Sequence, residues 1–378
     1  MFKMNKSLAE LIYISRKVGK DPAWAQGGSG NTSVKTDDGR FMFIKASGTA
    51  LKDMNAKKGW RKMNLQKVRT IIADKNIAKL AAQKREAEIA KRLLACCADK
   101  RKGNCRPSVE ANLHVFLDKC VIHLHPIAVG AFINSKNGRN KLEKLFAAEK
   151  FPPLWVPYAN PGYCLAKKIS NLCGCYLKKH GRPPQILFLE KHGLFVSAPK
   201  SADALRLVSK VIKKCGDKLT RPSVKKIKKP DAKTIRAAKS LIRDAFFAAT
   251  GRNEPVHFFH NKNLAAFIQK NDTGELLKAG PLNPNEIIYL KGPVVWLENL
   301  QKDVISAELK KQIAKGQKPS IAFLIKNIGL FVIGGIKSAS IAQQVVSSSL
   351  FMRFNARKFG RIAVLTKSEQ NFIRNCGA

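Results

Sequence analysis

The sequence predicts an α/β protein of two domains, and three observations carry that expectation. The chain has 378 residues, more than one domain of roughly 100–200 residues needs. Helical and strand periodicities follow one another along it, most clearly over residues 107–126. Residues 185–189, Gln-Ile-Leu-Phe-Leu, form a continuous apolar run of the kind a buried strand shows.

Composition narrows the class. Hydrophobic residues make up 45% of the chain, a globular value, and no uninterrupted apolar run approaches the ~18 residues of a membrane span. The start, Met-Phe-Lys-Met-Asn-Lys-Ser-Leu, has no apolar signal core with a small-residue cleavage site. A cytoplasmic protein without a membrane segment is expected. The nine cysteines, at 96, 97, 105, 120, 164, 173, 175, 215 and 376, follow no secreted framework and read as free thiols. Cys173-Gly-Cys175, without a second such pair, reads as incidental. Seventy Lys and Arg against 26 Asp and Glu give a net charge of +44. That excess attracts polyanions without sequence preference, and Lys225, Lys226, Lys228 and Lys229 concentrate it. No zinc-finger, RNP-like or basic-region pattern accompanies it.

The elements follow in order. Leu8, Leu11, Ile12 and Ile14 place a helix over residues 5–20. Gly27-Gly28-Ser29-Gly30-Asn31-Thr32-Ser33 then leads into a strand rather than a helix, which excludes a dinucleotide or nucleoside-triphosphate loop. It reads either as a plain hairpin turn or as an anion cradle. Residues 40–46 alternate as a strand and close on a second polar turn, Ser47-Gly48-Thr49. One long, solvated helix is expected over 65–97.

The central stretch opens a helix near Pro107 and Ser108, with Glu110 in its first turn and Val109, Leu113, Phe116 and Leu117 at helical spacing. It stops near Asp118. In the strand that follows, His123 and His125 share one face, because alternate strand side chains do, and that pair can chelate one metal ion. Trp155 to Gly162 reads as extended, and a helix runs from Tyr163 to about His180. The apolar run at 185–189 delivers His192, beside Gly193, as the natural third ligand. His114 sits four residues after Glu110 and reads as structural or as surface. His257-Phe-Phe-His260 is a weak second metal candidate.

An exposed connection beginning with Arg221-Pro222-Ser223 divides the chain into domains 1–219 and 220–378. The second contains an echo of the first: Asn327-Ile328-Gly329-Leu330-Phe331-Val332 repeats Lys191-His192-Gly193-Leu194-Phe195-Val196, with Ile328 in place of His192. Residues 287–291 similarly echo 121–125, with both imidazoles replaced.

Taken together, Gly30-Asn31-Thr32-Ser33, Ser47-Gly48-Thr49, Pro107-Ser108-Val109-Glu110, His123-Leu124-His125, Tyr158-Ala159-Asn160-Pro161-Gly162 and Lys191-His192-Gly193 resemble, in order, the class II aldolase and adducin family. The resemblance covers about residues 8–215. The second half resembles the degenerate portion of the aldolase part of bifunctional rhamnulose-1-phosphate aldolase/lactaldehyde dehydrogenases, without the dehydrogenase part. The resemblance implies a three-layer α/β/α domain followed by a degenerate, metal-free domain of related fold, and a homo-oligomer. It implies Zn2+, or another divalent ion, on His123, His125 and His192, with Glu110 as acid/base and Tyr158 assisting proton transfer. Asn31, Ser47, Gly48 and Ser108 would contact the phosphate of a phosphorylated sugar. Where fuculose-phosphate relatives carry a second serine this chain has Val109.

The implied reaction is retro-aldol cleavage of a ketose 1-phosphate, with rhamnulose 1-phosphate as the leading substrate. The enediolate left by that cleavage needs an electrophile to hold its charge and an acid to protonate it, which suits imidazole-bound metal and a carboxylate. Three alternatives stay open: a pentulose-phosphate 4-epimerase, a non-catalytic adducin-like scaffold, and a polyanion-binding protein.

Overall fold

The computed structural model describes residues 4–99, 105–223 and 229–376. Lys225, Lys226 and Lys228 of the basic run, and with them part of the expected connection, lie outside the described residues. The strands are β1 (Asn31–Lys35), β2 (Phe41–Lys45), β3 (Trp60–Asn64), β4 (Cys120–Leu124), β5 (Leu154–Val156), β6 (Ile186–Leu189), β7 (Gly193–Ala198), β8 (Val256–Phe259), β9 (Val295–Leu297), β10 (Ala322–Ile325) and β11 (Gly329–Ile333). They form a seven-stranded sheet in the order β3-β2-β1-β4-β7-β6-β5 and a four-stranded sheet in the order β8-β11-β10-β9.

Strand alternation builds the layers. On one face of the large sheet Val34, Phe43, Ile122, Leu124, Leu194 and Val196 pack with Leu11 and Ile14 of helix Lys6–Val18 and Val208 and Val211 of helix Ser201–Gly216. On the other, Met42, Ile44, Val121, Leu187 and Phe195 meet helices Leu65–Ala73, Ala82–Ala95 and Tyr163–His180. The result is the three-layer α/β/α arrangement. Residues of strand β6 are buried as expected, although the strand is next to the β5 edge rather than central.

Two expected helices come out differently. The 65–97 stretch is three helices, Leu65–Ala73, Lys75–Lys79 and Ala82–Ala95. Asp74 breaks the first by capping the second: its backbone is extended and its carboxylate accepts from the Asn76 N–H. Arg92, 2.7 Å from Asp74, then ties the third helix back. The helix expected from Pro107 to Asp118 shrinks to one turn, Ala111–His114, with Glu110 preceding it at the N-cap. Pro107 bridges to Ala46, and the Ser108 N–H donates to the Lys45 carbonyl, so this segment is pinned to the end of β2 before it can coil. At its far end the buried Lys35 ammonium draws away the carbonyls of Val115 and Leu117.

Beyond Leu219 the chain builds a core of its own around Phe246, Phe323, Leu324, Phe331 and Val346. Its sheet reproduces part of the larger one. The order β8-β11-β10-β9 matches β4-β7-β6-β5, with antiparallel, antiparallel and parallel pairings in the same places. Lys191 and Asn327 even share a left-handed backbone, φ 53° and 58°. The pairing His123↔Phe195 therefore corresponds to Phe258↔Phe331, which places Phe258 and His260 at the positions of His123 and His125. The echo expected at residues 287–291 is overturned, because Ile287 to Leu290 belong to helix Pro284–Leu290 and not to a strand. Pro284 at the start of that helix, with Asn283 capping the Glu286 N–H, dictates the coil.

The second core is seated on the first. Helix Ile336–Lys358 lies along Ile127–Ile133 so closely that a Cβ on Gly130 would stand 2.1 Å from the Met352 sulfur. The chain then returns to the first half: the Lys136 N–H donates to the Arg361 carbonyl, and the Ala363 N–H to the Asn134 carbonyl. Among the described residues no helix is long and apolar enough to cross a membrane.

Candidate metal centre

Three loops and strands of the large sheet converge on one point. His123 lies inside β4, hydrogen-bonded on both sides by β1 and β7, and its ring stacks on Phe195 with centroids 4.1 Å apart. Its Nδ1–H donates to the Leu194 carbonyl at 3.0 Å, which fixes the tautomer and leaves Nε2 as a lone-pair donor. His125 follows at the strand end, where Pro126 stops the strand and caps helix Ile127–Ile133. His192 comes from the β6–β7 turn. Gly193 permits its approach, since a Cβ there would lie 2.6 Å from the Leu124 carbonyl and 2.8 Å from the His125 ring.

The three imidazoles offer ligand atoms within 4.8 Å of one another. The Nε2 atoms of His123 and His125 are 3.1 Å apart, close to the ~3.3 Å that two nitrogens at ~2.0 Å from a tetrahedral zinc would show. Glu110 completes the group, with Oε2 3.4 Å from His123 Nε2 and Oε1 3.2 Å from His192 Nε2. Burial lowers the His123 pKa to about 4 and holds His125 well below its ordinary value. Burial raises the Glu110 carboxyl, and positive charge at the imidazole cluster lowers it, so a cation held there would keep it ionised. Lone pairs and a carboxylate thus face one another at 3.1–3.4 Å, an arrangement that calls for a cation between them. The donor set fits a divalent metal ion.

Behind the carboxylate runs a chain of hydrogen bonds. Ser33 donates its hydroxyl to His114 Nδ1 at 2.7 Å, His114 Nε2–H donates to Asn31 Oδ1 at 2.5 Å, and Asn31 Nδ2 donates to Glu110 Oε2 at 2.6 Å. His114 is fully buried, and burial lowers its pKa to about 3, so it is a neutral strut. Lys45, also buried, donates to the Gly28 carbonyl at 3.0 Å; burial lowers its pKa to about 8 against the opposing pull of Glu110.

The remaining sequence-predicted residues divide. The Ser47 N–H donates to the Arg106 carbonyl at 2.9 Å, which sets the exposed Ser47-Gly48 turn beside Ser108, whose hydroxyl accepts from the Glu110 N–H at 3.3 Å. Asn31 stands between Glu110 and His114, with both ends of its amide engaged. Tyr158 is placed elsewhere. Its hydroxyl donates to Asn160, its ring packs on the Lys191 ammonium and against Ile287, Leu365 and Ile373, and burial pushes its pKa up. Lys191 itself is paired with Glu369 at 2.7 Å.

The second half closes the other side. Asn285 lies beside the His125 side chain, and Gln344 accepts from the Gly27 N–H at 3.4 Å. A cavity opens here, lined by His125, His192 and Asn134 from the first half and by Asn283, Asn285 and Glu286 from the second. Sequence reasoning missed Asn285, Glu286, Lys45 and the role of His114. A lysine inside the apolar run Phe41-Met42-Phe43-Ile44-Lys45-Ala46 was the one available signal. Among the described residues no second group of metal-binding side chains converges, so His257 and His260 form no such site.

Residues 9–216 match the family described as class II aldolase and adducin N-terminal domain. The uncharacterized oxidoreductase YuxG of Bacillus subtilis (strain 168) is 32% identical over 200 residues, 51% of this chain and 26% of that protein, so the match spans about a quarter of its length. The N-terminal class II aldolase domain of a conserved protein from Thermoplasma acidophilum is 25% identical, with a TM-score of 0.47 over 57% of this chain and 95% of that one. An L-fuculose-1-phosphate aldolase from Thermus thermophilus is 16% identical, with a TM-score of 0.33 over 55% of this chain and 92% of that one.

Proposed function

This chain belongs to the class II aldolase and adducin family, and from that premise we propose that it is a zinc-dependent aldolase cleaving a ketose 1-phosphate, with rhamnulose 1-phosphate to dihydroxyacetone phosphate and lactaldehyde as the leading reaction. The observation that carries the reading is the convergence of His123, His125 and His192 on the buried carboxylate of Glu110.

In this reading the three imidazoles hold the ion through Nε2, with Leu194 orienting His123 and Asn285 contacting His125. The bound ion supplies Lewis acidity toward the carbonyl and hydroxyl oxygens of the sugar. Glu110 moves the proton. Its carboxylate is ionised and anchored by Asn31 through Oε2, so Oε1 is free to take a proton from a substrate hydroxyl and return it to carbon. The turns at Ser47-Gly48 and Ser108, with Asn31 behind them, receive the phosphate, remote from the reacting carbons, where binding energy orients the substrate. Tyr158 assists proton transfer in this reading, its ring lying on the ammonium of Lys191, next to His192.

The second domain, residues 220–378 beside a catalytic domain at 1–219, is read as a degenerate copy that holds no metal. The equivalents of His123 and His192 are Phe258 and Ile328, which supports that reading. A homo-oligomer with non-specific polyanion contacts completes it. The test is elemental analysis together with a coupled assay for dihydroxyacetone phosphate release from rhamnulose 1-phosphate and its stereoisomers. Stoichiometric zinc with release is the expected result. Metal with epimerisation of pentulose phosphates and no cleavage would move the assignment to an epimerase, and no metal at all would leave a scaffold.

A further inference from the structure

Lys191, in the turn that delivers His192, has a left-handed backbone at φ 53°, a region that residues with a long side chain seldom occupy and that Asn tolerates. The second half contains the same turn. Glu190, Lys191 and His192 donate their N–H groups to the carbonyls of Val156, Ile133 and Leu189 at 3.0, 3.0 and 3.1 Å, while Lys326, Asn327 and Ile328 donate to Leu297, Ile268 and Ile325 at 2.9, 3.0 and 3.1 Å. Where Ile328 replaces His192, the left-handed position holds the permissive residue, Asn327, exposed and at φ 58°. The backbone therefore does not call for a lysine at 191. Its side chain is what differs.

That side chain is buried, with the residue 7% exposed. Its ammonium donates to both carboxylate oxygens of Glu369 at 2.9 and 2.7 Å, lies 3.5 Å from the Val364 carbonyl, and stands 4.2 Å from the centroid of the Tyr158 ring. Tyr158 is braced by the same turn, its N–H donating to Glu190 Oε2 at 3.0 Å. Glu369 is fixed in its own element. The Thr366 N–H donates to Glu369 Oε2 at 2.7 Å and the Glu369 N–H to Thr366 Oγ1 at 3.2 Å, a reciprocal cap at the start of helix Lys367–Cys376. Ile373 of that helix is buried with Ile287 and Leu365 against Tyr158.

The imidazoles differ in how they are aimed. The His123 ring is oriented by the Leu194 carbonyl, whereas His192 Nδ1 is buried and has no partner among the described residues. The direction of His192 thus depends on its turn. Resting on the metal-centre reading above, we infer that Glu369 is a positioning residue for the third ligand: through Lys191 it fixes the turn that aims His192, which makes the C-terminal helix part of the metal centre.

Co2+ binding tests this without turnover. The full chain is loaded with Co2+, its affinity is read by chelator competition, and its visible absorption reports the ligand geometry. Glu369→Gln keeps the reciprocal cap, which glutamine also makes, and removes the charge that holds Lys191. Lys191→Asn combined with Glu369→Gln installs the residue found in the second half and leaves no unpaired charge. Each variant should bind Co2+ about tenfold more weakly, the lower end of what outer supports of a metal ligand contribute, with an altered visible spectrum. The double variant decides the matter should Glu369→Gln fail to fold. A pair that serves stability alone would shift the urea midpoint of the metal-free chain and leave Co2+ affinity and spectrum as in the parent; that result, or unfolding of both variants, would overturn the inference. The two readings fail separately: a parent chain that takes up no Co2+ removes the metal centre and this inference with it, whereas a parent chain that binds Co2+ and loses nothing in the variants removes only the role of Glu369.

Discussion

Glu110 and the atoms that hold it decide most at the scale of single residues. Glu110→Gln keeps size and the Asn31 contact but cannot carry the proton, so zinc content should stay stoichiometric while turnover falls by about 10²–10⁴; full activity would remove Glu110 from the acid/base role. Asn285→Ala removes a contact to His125 supplied across the two halves. Loss of such a support costs about tenfold or more in metal affinity, measurable by chelator competition. His114 adds a pH dependence. Its folded pKa is depressed to about 3 by burial, while an unfolded histidine titrates near 6.5. Below pH ~6.5 the unfolded chain takes up a proton that the folded one does not, so stability falls as pH drops toward ~3, by up to ~1.4 kcal/mol per unit. His114→Gln can give and accept the same two hydrogen bonds without titrating. In metal-free protein its urea midpoint should fall less between pH 7 and 5 than that of the parent chain.

At the scale of elements, the sequence carried strands better than helix ends. Period-two alternation placed β2 and β4 within a residue or two, and His123 and His125 met because strand geometry leaves them little choice. His192 was readable for the same reason: a glycine at the end of an apolar run marks a tight turn. The helix expected from 107 failed because periodicity says nothing of the backbone pairing that ties Pro107 and Ser108 to the end of β2. Asp74 was a cap hidden in a helix-forming run. The echo at 287–291 was a likeness of letters, while the true counterpart of β4 is β8, whose Phe258 and His260 align only through sheet register. His192→Ala removes one of three imidazoles and should lower metal content by elemental analysis; unchanged zinc would strike it from the ligand set.

Over the whole molecule, no pattern announced that the second half would touch the metal centre, since contacts such as Asn285 to His125 depend on how two cores dock. Part of their seam is apolar and tight, with Met352 against Gly130 and Phe359 stacked on Phe132 at 4.4 Å. Ending the chain after Leu219 would bare that face, and the fragment should be insoluble on expression. A soluble, fully active fragment would show the second half to be dispensable.

The returning segment has a consequence in time. Lys191, beside the third imidazole, is paired with Glu369, 178 residues further along. At a synthesis rate of ~5–20 residues per second, roughly 10–40 s separate the two on the ribosome. All three histidines are thus synthesised well before the turn bearing His192 gains its outer anchor.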